Sequence, residues 1–299
     1  MTAPTVRVRS VSLFERAVTL RLPFRFGAAT VTRCPQAFAR VTLELGGQTW
    51  VGASAELMVP KWFDKAPQLT HEQNFEQLRE SLRNARSSYM AEGDASTAFC
   101  LSQSAGEAAI AASMAHGLPR LAAQFGPALL DKAVADALLR SQGLSWVDGL
   151  RAGALGDPWS KTLKQVRPDS VIVRHTVGLA DLLSYGEPGD RPYDGLPATL
   201  QACIQRYGLT HFKLKLSGQI DADRDRLTRI AAVLDADAGD YRVTLDGNET
   251  FTDAAALGDF WRALTQAPAL SNLLSRTLLL EQPLARRVAL NQSVSGLGI

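Results

Sequence analysis

Several features that define other protein classes are scarce in this sequence. The 299 residues include three cysteines, Cys34, Cys100 and Cys203, which are odd in number and form no CxxC pair. A disulfide scaffold or a zinc cluster is therefore not expected, and this cysteine usage fits a reducing cytoplasm. The four histidines also lack metal-ligand spacing, and only His175, in a predicted strand, is placed where it could line a pocket.

Long runs of one residue class are missing as well. The formal net charge is +2 and no block of Lys or Arg stands out, so neither a nucleic acid nor an acidic membrane is expected as a partner. No stretch reaches the roughly 18 apolar residues of a membrane span, and the N-terminus lacks the apolar run of a signal peptide. With 46% hydrophobic and 21% charged residues, the composition predicts a soluble globular protein of about two domains.

Residues 1–143 are predicted to form an α+β domain. Apolar residues alternate up to about Glu56, which indicates a β-meander of strands such as Val6–Leu13 and Ala17–Leu22, with a hairpin turn at Gly46-Gly47. Between strands, Pro23–Thr30 is predicted as a loop, for which ordinary packing is favoured over an active-site flap. From about Thr70 to Gly143 the apolar spacing becomes three and four residues, which predicts amphipathic helices.

Residues 144–299 change to alternating strands and helices, after a boundary within Leu144–Pro168. Thr252 is predicted to be the N-cap of the last helix in this series. Successive βα units imply a parallel sheet, either doubly wound or a (β/α)₈ barrel. The first strand is not followed by a GxGxxG motif, and polar residues end several strands, which favours the barrel. The four predicted strands are Val171–Val177, His211–Leu216, Val243–Asp246 and Thr277–Glu281.

The strand that begins at His211 carries two lysines on one face. Lys213 and Lys215 alternate with Phe212 and two leucines, although a strand covered on both faces is usually almost entirely apolar. A buried ammonium group is costly unless it is paired. Two lysines directed together therefore indicate a polar site, and two later strands end in the acids Asp246 and Glu281.

Three motifs together resemble those of the enolase superfamily, and specifically its mandelate racemase and muconate lactonizing enzyme group. They are Phe212-Lys-Leu-Lys-Leu216, Leu245-Asp-Gly-Asn-Glu249 and Leu280-Glu-Gln-Pro-Leu284. The Glu281-Gln-Pro283 motif is more similar to that of the muconate lactonizing branch than to that of the acid-sugar dehydratases. The resemblance implies an α/β fold class in which an α+β N-terminal capping domain (1–143) precedes a (β/α)₈-type TIM barrel (144–299). Members of this group are commonly homo-oligomeric and act on small carboxylates.

The resemblance also implies roles for the polar residues. In this superfamily a Lys or His base works with Mg²⁺ that stabilises an ene-diolate. Asp246 and Glu281 would be two Mg²⁺ ligands, Lys215 the base, and Lys213 an assistant or a contact to the substrate carboxylate. Asn248 would position the metal ligands by hydrogen bonding to them. The reaction would be that of an isomerase or lyase: racemisation or epimerisation, cycloisomerisation, or dehydration.

Each of these residues also has an ordinary structural interpretation. Lys213 and Lys215 could be charged gatekeepers on an exposed edge strand. Asp246, which precedes Gly247, could simply serve turn chemistry. Glu281 could be a solvated loop acid. A Schiff-base aldolase that uses Lys215 is a further alternative, against which the paired acids argue.

The sequence departs from the family pattern after the fourth barrel strand. Residues from Val171 onward make up only about half of the roughly 250 residues of a (β/α)₈ barrel. The family takes a third acidic ligand from the fifth strand and a partner acid or base from the sixth or seventh, and no residue here fills either position. Gln266–Ser275 resembles an insertion. We therefore expect a C-terminally truncated, catalytically impaired family member; the alternative is a non-catalytic remnant or a half-barrel that needs a partner chain.

Overall fold

The computed structural model describes residues 3–95, 97–158, 162 and 168–295. The chain divides into two compact units: unit 1 comprises Met1–Thr19 and Arg33–Pro168, and unit 2 comprises Leu20–Thr32 and Asp169–Ile299. Part of the predicted boundary segment, residues 159–161 and 163–167, lies outside the described residues. The domain division at residue 143 stays a prediction.

A three-stranded sheet in the order β1-β2-β3 comes first in the chain. Its strands are β1 (Arg7–Phe26), β2 (Ala29–Leu45) and β3 (Gln48–Leu57). The predicted hairpin is confirmed, because β2 and β3 pair antiparallel with Leu45 opposite Gln48. Gly46 and Gly47 both have positive φ, as a two-residue type I′ turn requires.

The prediction of a loop at Pro23–Thr30 is wrong. β1 runs through Phe26 and β2 begins at Ala29, so the chain reverses within a two-residue turn. Gly27 takes a φ of 50° there, which glycine tolerates because it has no Cβ. The separately predicted strands Val6–Leu13 and Ala17–Leu22 are accordingly parts of one long strand.

The helices of unit 1 follow the predicted apolar spacing. They are α1 (His71–Ala91), α2 (Ala98–Leu101), α3 (Glu107–Ala115), α4 (Arg120–Ala123), α5 (Phe125–Ser141) and α6 (Trp146–Arg151), with a π-helical segment at Ser102–Gly106. α1 begins with a capping box: the Thr70 hydroxyl accepts from the backbone N–H of Gln73, whose side chain accepts from the Thr70 N–H. This reciprocal pair satisfies two of the donors that a helix N-terminus leaves open.

Close approach of β3 and α5 requires a glycine at position 52. A Cβ there would lie 2.1 Å from the backbone oxygen of Ala133 and 2.3 Å from the backbone nitrogen of Ala137. Any larger residue would force the strand and helix apart. Gly52 therefore fixes the packing of unit 1.

A carboxylate also lies in the interior of unit 1. Asp131 on α5 accepts hydrogen bonds from the Tyr89 hydroxyl at 2.5 Å and from the Ser102 hydroxyl at 2.8 Å. Burial raises the pKa of Asp131, and the two hydrogen bonds offset this only in part. Its charge therefore costs stability at neutral pH.

Unit 2 contains a four-stranded parallel sheet in the order β4-β5-β6-β7. Each strand pairs in parallel with the next one along the chain. Sequential order is that of a barrel, whereas a doubly wound sheet reverses its order at a switch point. The predicted partial barrel is thus confirmed, with strands β4 (Arg174–Val177), β5 (His211–Lys215), β6 (Arg242–Asp246) and β7 (Thr277–Glu281).

Helices connect these strands and cover one side of the sheet with the predicted apolar residues. They are α7 (Leu200–Tyr207), α8 (Ile220–Asp237), α9 (Ala254–Thr265) and α10 (Ser271–Ser275), and a 3₁₀ turn at Pro268–Leu270 precedes α10. The proposed insertion Gln266–Ser275 thus holds short helical turns. The predicted faces of α8 and α9 are buried: Leu227, Ile230, Ala231, Leu234, Leu257, Phe260, Trp261 and Leu264.

Thr252 is not the N-cap of α9, so that prediction is wrong by one residue. The cap is Asp253, whose carboxylate accepts the backbone N–H of Ala256 at 2.9 Å. The Thr252 hydroxyl instead donates to the Asp253 side chain. Both residue types make good caps, and the structure selects the one that reaches the helix N–H groups.

The outer strands of this sheet are less covered than the inner ones. β7 exposes Leu278 and Leu279, at 62% and 50% of their surface. Val171 to Val173, predicted as the start of the first strand, are exposed and lie outside β4. Open edges with exposed apolar residues are typical of a sheet that further strands can extend. Among the residues described, no helix combines the length and apolar character of a membrane span.

Candidate active site

Lys213 and Lys215 lie on an interior strand. β5 pairs with β4 on one side and with β6 on the other, so the interpretation of these lysines as gatekeepers on an exposed edge is wrong. Lys215 is buried and Lys213 is half-buried. Both project from the same face of the sheet, where each needs a counter-charge to offset the loss of hydration.

Asp246 and Glu281 supply that counter-charge. Nζ of Lys213 lies 2.7 Å from Oδ2 of Asp246 and 2.7 Å from Oε1 of Glu281, and Nζ of Lys215 lies 2.6 Å from the same Oδ2. Lys215, Asp246 and Glu281 occupy one level of neighbouring strands, which is why their side chains meet. Asp246 is therefore a buried ion-pair residue that also serves the following turn, where its Oδ1 accepts the backbone N–H of Asn248, and Glu281 is not a solvated loop acid.

The two lysines differ in how readily they release a proton. Burial lowers the pKa of Lys215 and the charge of Lys213 lowers it further, while the hydrogen bond to Asp246 opposes both without reversing the shift. Burial also acts to lower the pKa of Lys213, but its hydrogen bonds to Asp246 and Glu281 outweigh burial and the pKa is raised. A general base needs a lowered pKa, as Lys215 has, whereas a group that binds anions must stay protonated, as the raised pKa of Lys213 ensures.

Asn248 links the buried lysine to the buried acid. Its Oδ1 accepts from Nζ of Lys215 at 2.9 Å, and its backbone N–H donates to Oδ1 of Asp246 at 2.9 Å. Burial acts to raise the pKa of Asp246, but the hydrogen bonds from Lys213, Lys215 and the Asn248 N–H outweigh it, so the pKa is lowered. The Asp246 carboxylate is thus held ionised and fixed in orientation.

Strained turns follow β6 and β7 and hold these acids in place. Asn248, Glu249 and Gln282 have φ of 50°, 64° and 42°, a region that costs a non-glycine residue about 1–3 kcal/mol. The turns are joined through the backbone: the N–H of Gly247 donates to the carbonyl of Glu281 at 2.9 Å, and that of Glu249 to the carbonyl of Gln282 at 2.8 Å. Such strain is maintained where the surrounding structure fixes the position of functional groups.

Arg174 is a residue of this cluster that the sequence reasoning missed. Its Nη1 donates to the Thr244 hydroxyl at 3.0 Å and lies 3.6 Å from Oε2 of Glu281. That Oε2 is buried and accepts no hydrogen bond from a described residue. The available signal was a charged residue within Val171–Val177, two positions before the residue level with Lys213.

The two carboxylates fit a divalent cation in type. Carboxylate oxygens are the ligands that Mg²⁺ prefers, often one or two of them with waters completing the octahedron. Asp246 and Glu281 already share one cationic nitrogen, so they lie within reach of a single ion, and Oε2 of Glu281 has no hydrogen bond. Within the described part of the chain, no group of three or more His, Cys, Asp or Glu side chains is placed to hold a metal.

Solved structures match this chain over nearly its whole length. An enolase from Bradyrhizobium complexed with magnesium and mandelic acid is 17% identical with a TM-score of 0.56, covering 95% of this chain and 63% of that one. A mandelate racemase/muconate lactonizing protein from Herpetosiphon aurantiacus is 18% identical with a TM-score of 0.56, covering 94% and 62%. A dipeptide epimerase from Enterococcus faecalis V583, complexed with Mg and L-Leu-L-Tyr, is 16% identical with a TM-score of 0.54, covering 94% and 62%. The chain shares the fold of these solved structures.

The likeness extends over only part of the neighbours' length. The chain spans about 62% of the solved structures it matches. A scan against protein-family models and a search of curated proteins find no match. At 16–18% identity the likeness shows the fold, and the roles of individual residues rest on the geometry of the cluster.

Proposed function

We propose that this chain carries one side of an enolase-superfamily active site, which removes the proton α to a carboxylate with the help of Mg²⁺. The observation that carries the proposal is the cluster itself: a buried lysine of lowered pKa, 2.6 Å from an ionised Asp246, with Lys213 bridging Asp246 and Glu281. The structural neighbours that hold magnesium together with mandelic acid or a dipeptide support it.

The residue types suit this chemistry. The proton α to a carboxylate is weakly acidic, because its removal places a second negative charge beside the first. Asp246 and Glu281 would hold Mg²⁺, which would neutralise that developing charge when bound. Lys215 takes the proton as a neutral amine, while Lys213 stays protonated and binds the substrate carboxylate. Asn248 holds the side chains of Lys215 and Asp246 beside each other through its two hydrogen bonds.

We expect the activity of this chain by itself to be weak. Within the described residues no third acidic side chain joins Asp246 and Glu281. Affinity for a hard cation depends on the number and charge of its ligands, so Mg²⁺ should be held more loosely than by three carboxylates.

Two measurements test the proposal and the expected impairment separately. Calorimetric titration with Mg²⁺, with and without mandelate, should show binding that Glu281→Gln weakens and that the exposed control Asp221→Asn leaves unchanged. Deuterium incorporation at the α carbon of mandelate and of L-Leu-L-Tyr, followed by NMR in D₂O, should be slow and should disappear in Lys215→Ala. A chain that binds no Mg²⁺ contradicts the proposed site, and rapid exchange contradicts the impairment.

A second candidate function is favoured by the exposed edge of the sheet. Leu278 and Leu279 on β7 are exposed over 62% and 50% of their surface, which suits a half-barrel that pairs with another chain. Light scattering should then show association that a Leu278→Ser and Leu279→Ser double variant abolishes. A chain that stays monomeric at high concentration contradicts this alternative.

A further inference from the structure

Unit 2 contains a cavity on the sheet face opposite the lysine–carboxylate cluster. Its volume is about 290 Å³, near the lower end of the range for small-molecule pockets. His175 on β4 lines it. Side chains alternate along a strand, and the next residue, Thr176, is level with Lys213, so His175 projects from the other face. The cavity is therefore separate from the proposed active site and does not depend on its function.

Hydrogen bonds fix the walls of this cavity. The backbone N–H groups of the first two residues of α7 donate to the carbonyls of Leu182 and Leu183, both at 2.9 Å. Arg21, next in sequence to the lining residue Leu22, binds both carboxylate oxygens of Asp194, at 2.6 and 2.7 Å, and donates to the carbonyl of the lining residue Pro197 at 2.9 Å. The cavity is thus formed in advance, and a ligand need not order its walls.

Two carboxylates and an imidazole are among the polar groups that line the cavity. Asp181 uses Oδ2 to accept the backbone N–H of Gly178 at 2.8 Å, and its Oδ1 has no hydrogen bond to a described residue. The His175 ring likewise has none within the described chain, and Asp190 adds a carboxylate at the rim. No described lysine or arginine lines the cavity; the neighbouring Arg226 directs Nη2 to the carbonyls of Gly178 and Asp181.

We propose that this cavity binds a small organic amine in its ammonium form, with Asp181 accepting hydrogen bonds from the ammonium group and the apolar walls enclosing the carbon skeleton. Leu22, Val177 and Leu200 are among the residues that supply those walls. Lining carboxylates without a lining cation select positive charge over negative.

The electrostatics of the two inner polar groups agree with this ligand class. Burial raises the pKa of Asp181, and the Gly178 N–H and the charge of Arg226 offset this only in part, so the carboxylate gains from a further cationic partner. Burial also lowers the pKa of His175, against the attraction of Asp181. The ring is therefore neutral near pH 7 and offers a lone pair rather than a competing charge.

Cys203 provides a reporter within the cavity. Its thiol lines the same space, whereas Cys100 is exposed elsewhere on the chain and serves as an internal control. The test measures the rate at which methyl methanethiosulfonate labels each cysteine at pH 7, by mass spectrometry. The probes are cyclohexylamine, neutral cyclohexanol and anionic cyclohexanecarboxylate, which share one ring and differ in charge.

We expect cyclohexylamine to slow labelling of Cys203 but not of Cys100, with a dissociation constant about tenfold or more below that of cyclohexanol, as a charge-assisted hydrogen bond provides. Asp181→Asn keeps an acceptor for the Gly178 N–H and should abolish this preference, whereas the exposed Asp221→Asn should not. Should Asp181→Asn fail to fold, Ala198→Leu, which adds bulk at a residue that lines the cavity, should weaken protection by the amine. No protection by cyclohexylamine, equal protection by cyclohexanol, or undiminished protection in these variants would overturn the proposal.

Discussion

Replacing Asp246 by Asn should destabilise the β4–β7 sheet more than any exposed charge substitution. Oδ2 of Asp246 accepts from both Lys213 and Lys215 and Oδ1 accepts the Asn248 N–H. Asn carries no charge, and whichever way its amide turns, one of these two positions loses its acceptor. The side chain of Lys213 is 13% exposed and keeps Glu281 as a partner, but that of Lys215 is 3% exposed and cannot regain water. The cost is therefore that of a buried ammonium that has lost its counter-ion.

Removal of one partner from a buried ion pair costs about 3–5 kcal/mol. We expect the lower end, about 3 kcal/mol, because the pKa of Lys215 is already lowered and the amine can shed its proton. Since about 1.4 kcal/mol is a factor of ten, amides of β5 and β6 should exchange with deuterium roughly a hundredfold faster. Hydrogen-exchange mass spectrometry resolves these strands and reports local stability even where two units unfold separately.

Two further variants make this prediction decisive. Asp259→Asn, which breaks an ion pair with Arg262 between two exposed side chains, should cost under about 1 kcal/mol. Lys215→Met added to Asp246→Asn should recover part of the loss, because the uncompensated buried charge is gone. Unchanged exchange in Asp246→Asn, or no recovery in the double variant, would refute the account of the cluster as a buried ion-pair network.

Three other predictions concern different parts of the chain. Burial raises the folded-state pKa of Asp131, so the free energy of unfolding falls as pH rises above the unfolded-state pKa of about 3.9. Asp131→Asn cannot ionise but can still accept from Tyr89, so its stability relative to the parent chain should increase between pH 4 and pH 7, as measured by urea titration. Gly247→Ala, whose Cβ would lie 2.7 Å from a neighbouring backbone carbon, should lose about 1–3 kcal/mol by urea unfolding, whereas Gly93→Ala, with open space around it, should change little; equal effects would contradict the close approach. Arg174→Gln removes a cation 3.6 Å from Glu281 and should tighten Mg²⁺ binding a few-fold, about 0.5–1 kcal/mol by calorimetry; weaker binding would show that the arginine supports the metal site.

The cluster could be predicted from the sequence because its signal is periodic. Lys213 and Lys215 interrupt an apolar strand at a spacing of two, and Asp246 and Glu281 end the following strands. Parallel strands bring their carboxyl ends to one edge, so side chains far apart in sequence meet without any knowledge of loops. The observed distances of 2.6–2.7 Å follow from that register.

Other features depend on contacts that no local pattern contains. Arg174 lies on the same face of the sheet as Lys213, but it joins the cluster only because its long side chain reaches across the sheet to Thr244 and Glu281. The short turn at Gly27 depends on a left-handed backbone that the flanking strands impose. The cavity beside His175 forms only because the segment near Arg21 folds against residues after β4, more than 150 positions later in the chain.

A crystal soaked in millimolar Mn²⁺ tests the central claim most directly. Manganese accepts the same oxygen ligands as magnesium and is located by its anomalous scattering. The account predicts an anomalous peak within coordinating distance, about 2.0–2.2 Å, of carboxylate oxygens from both Asp246 and Glu281, with Lys215 still beside Asp246. A map with no peak there, and with the ammonium group of Lys213 still joining the two carboxylates, would contradict it.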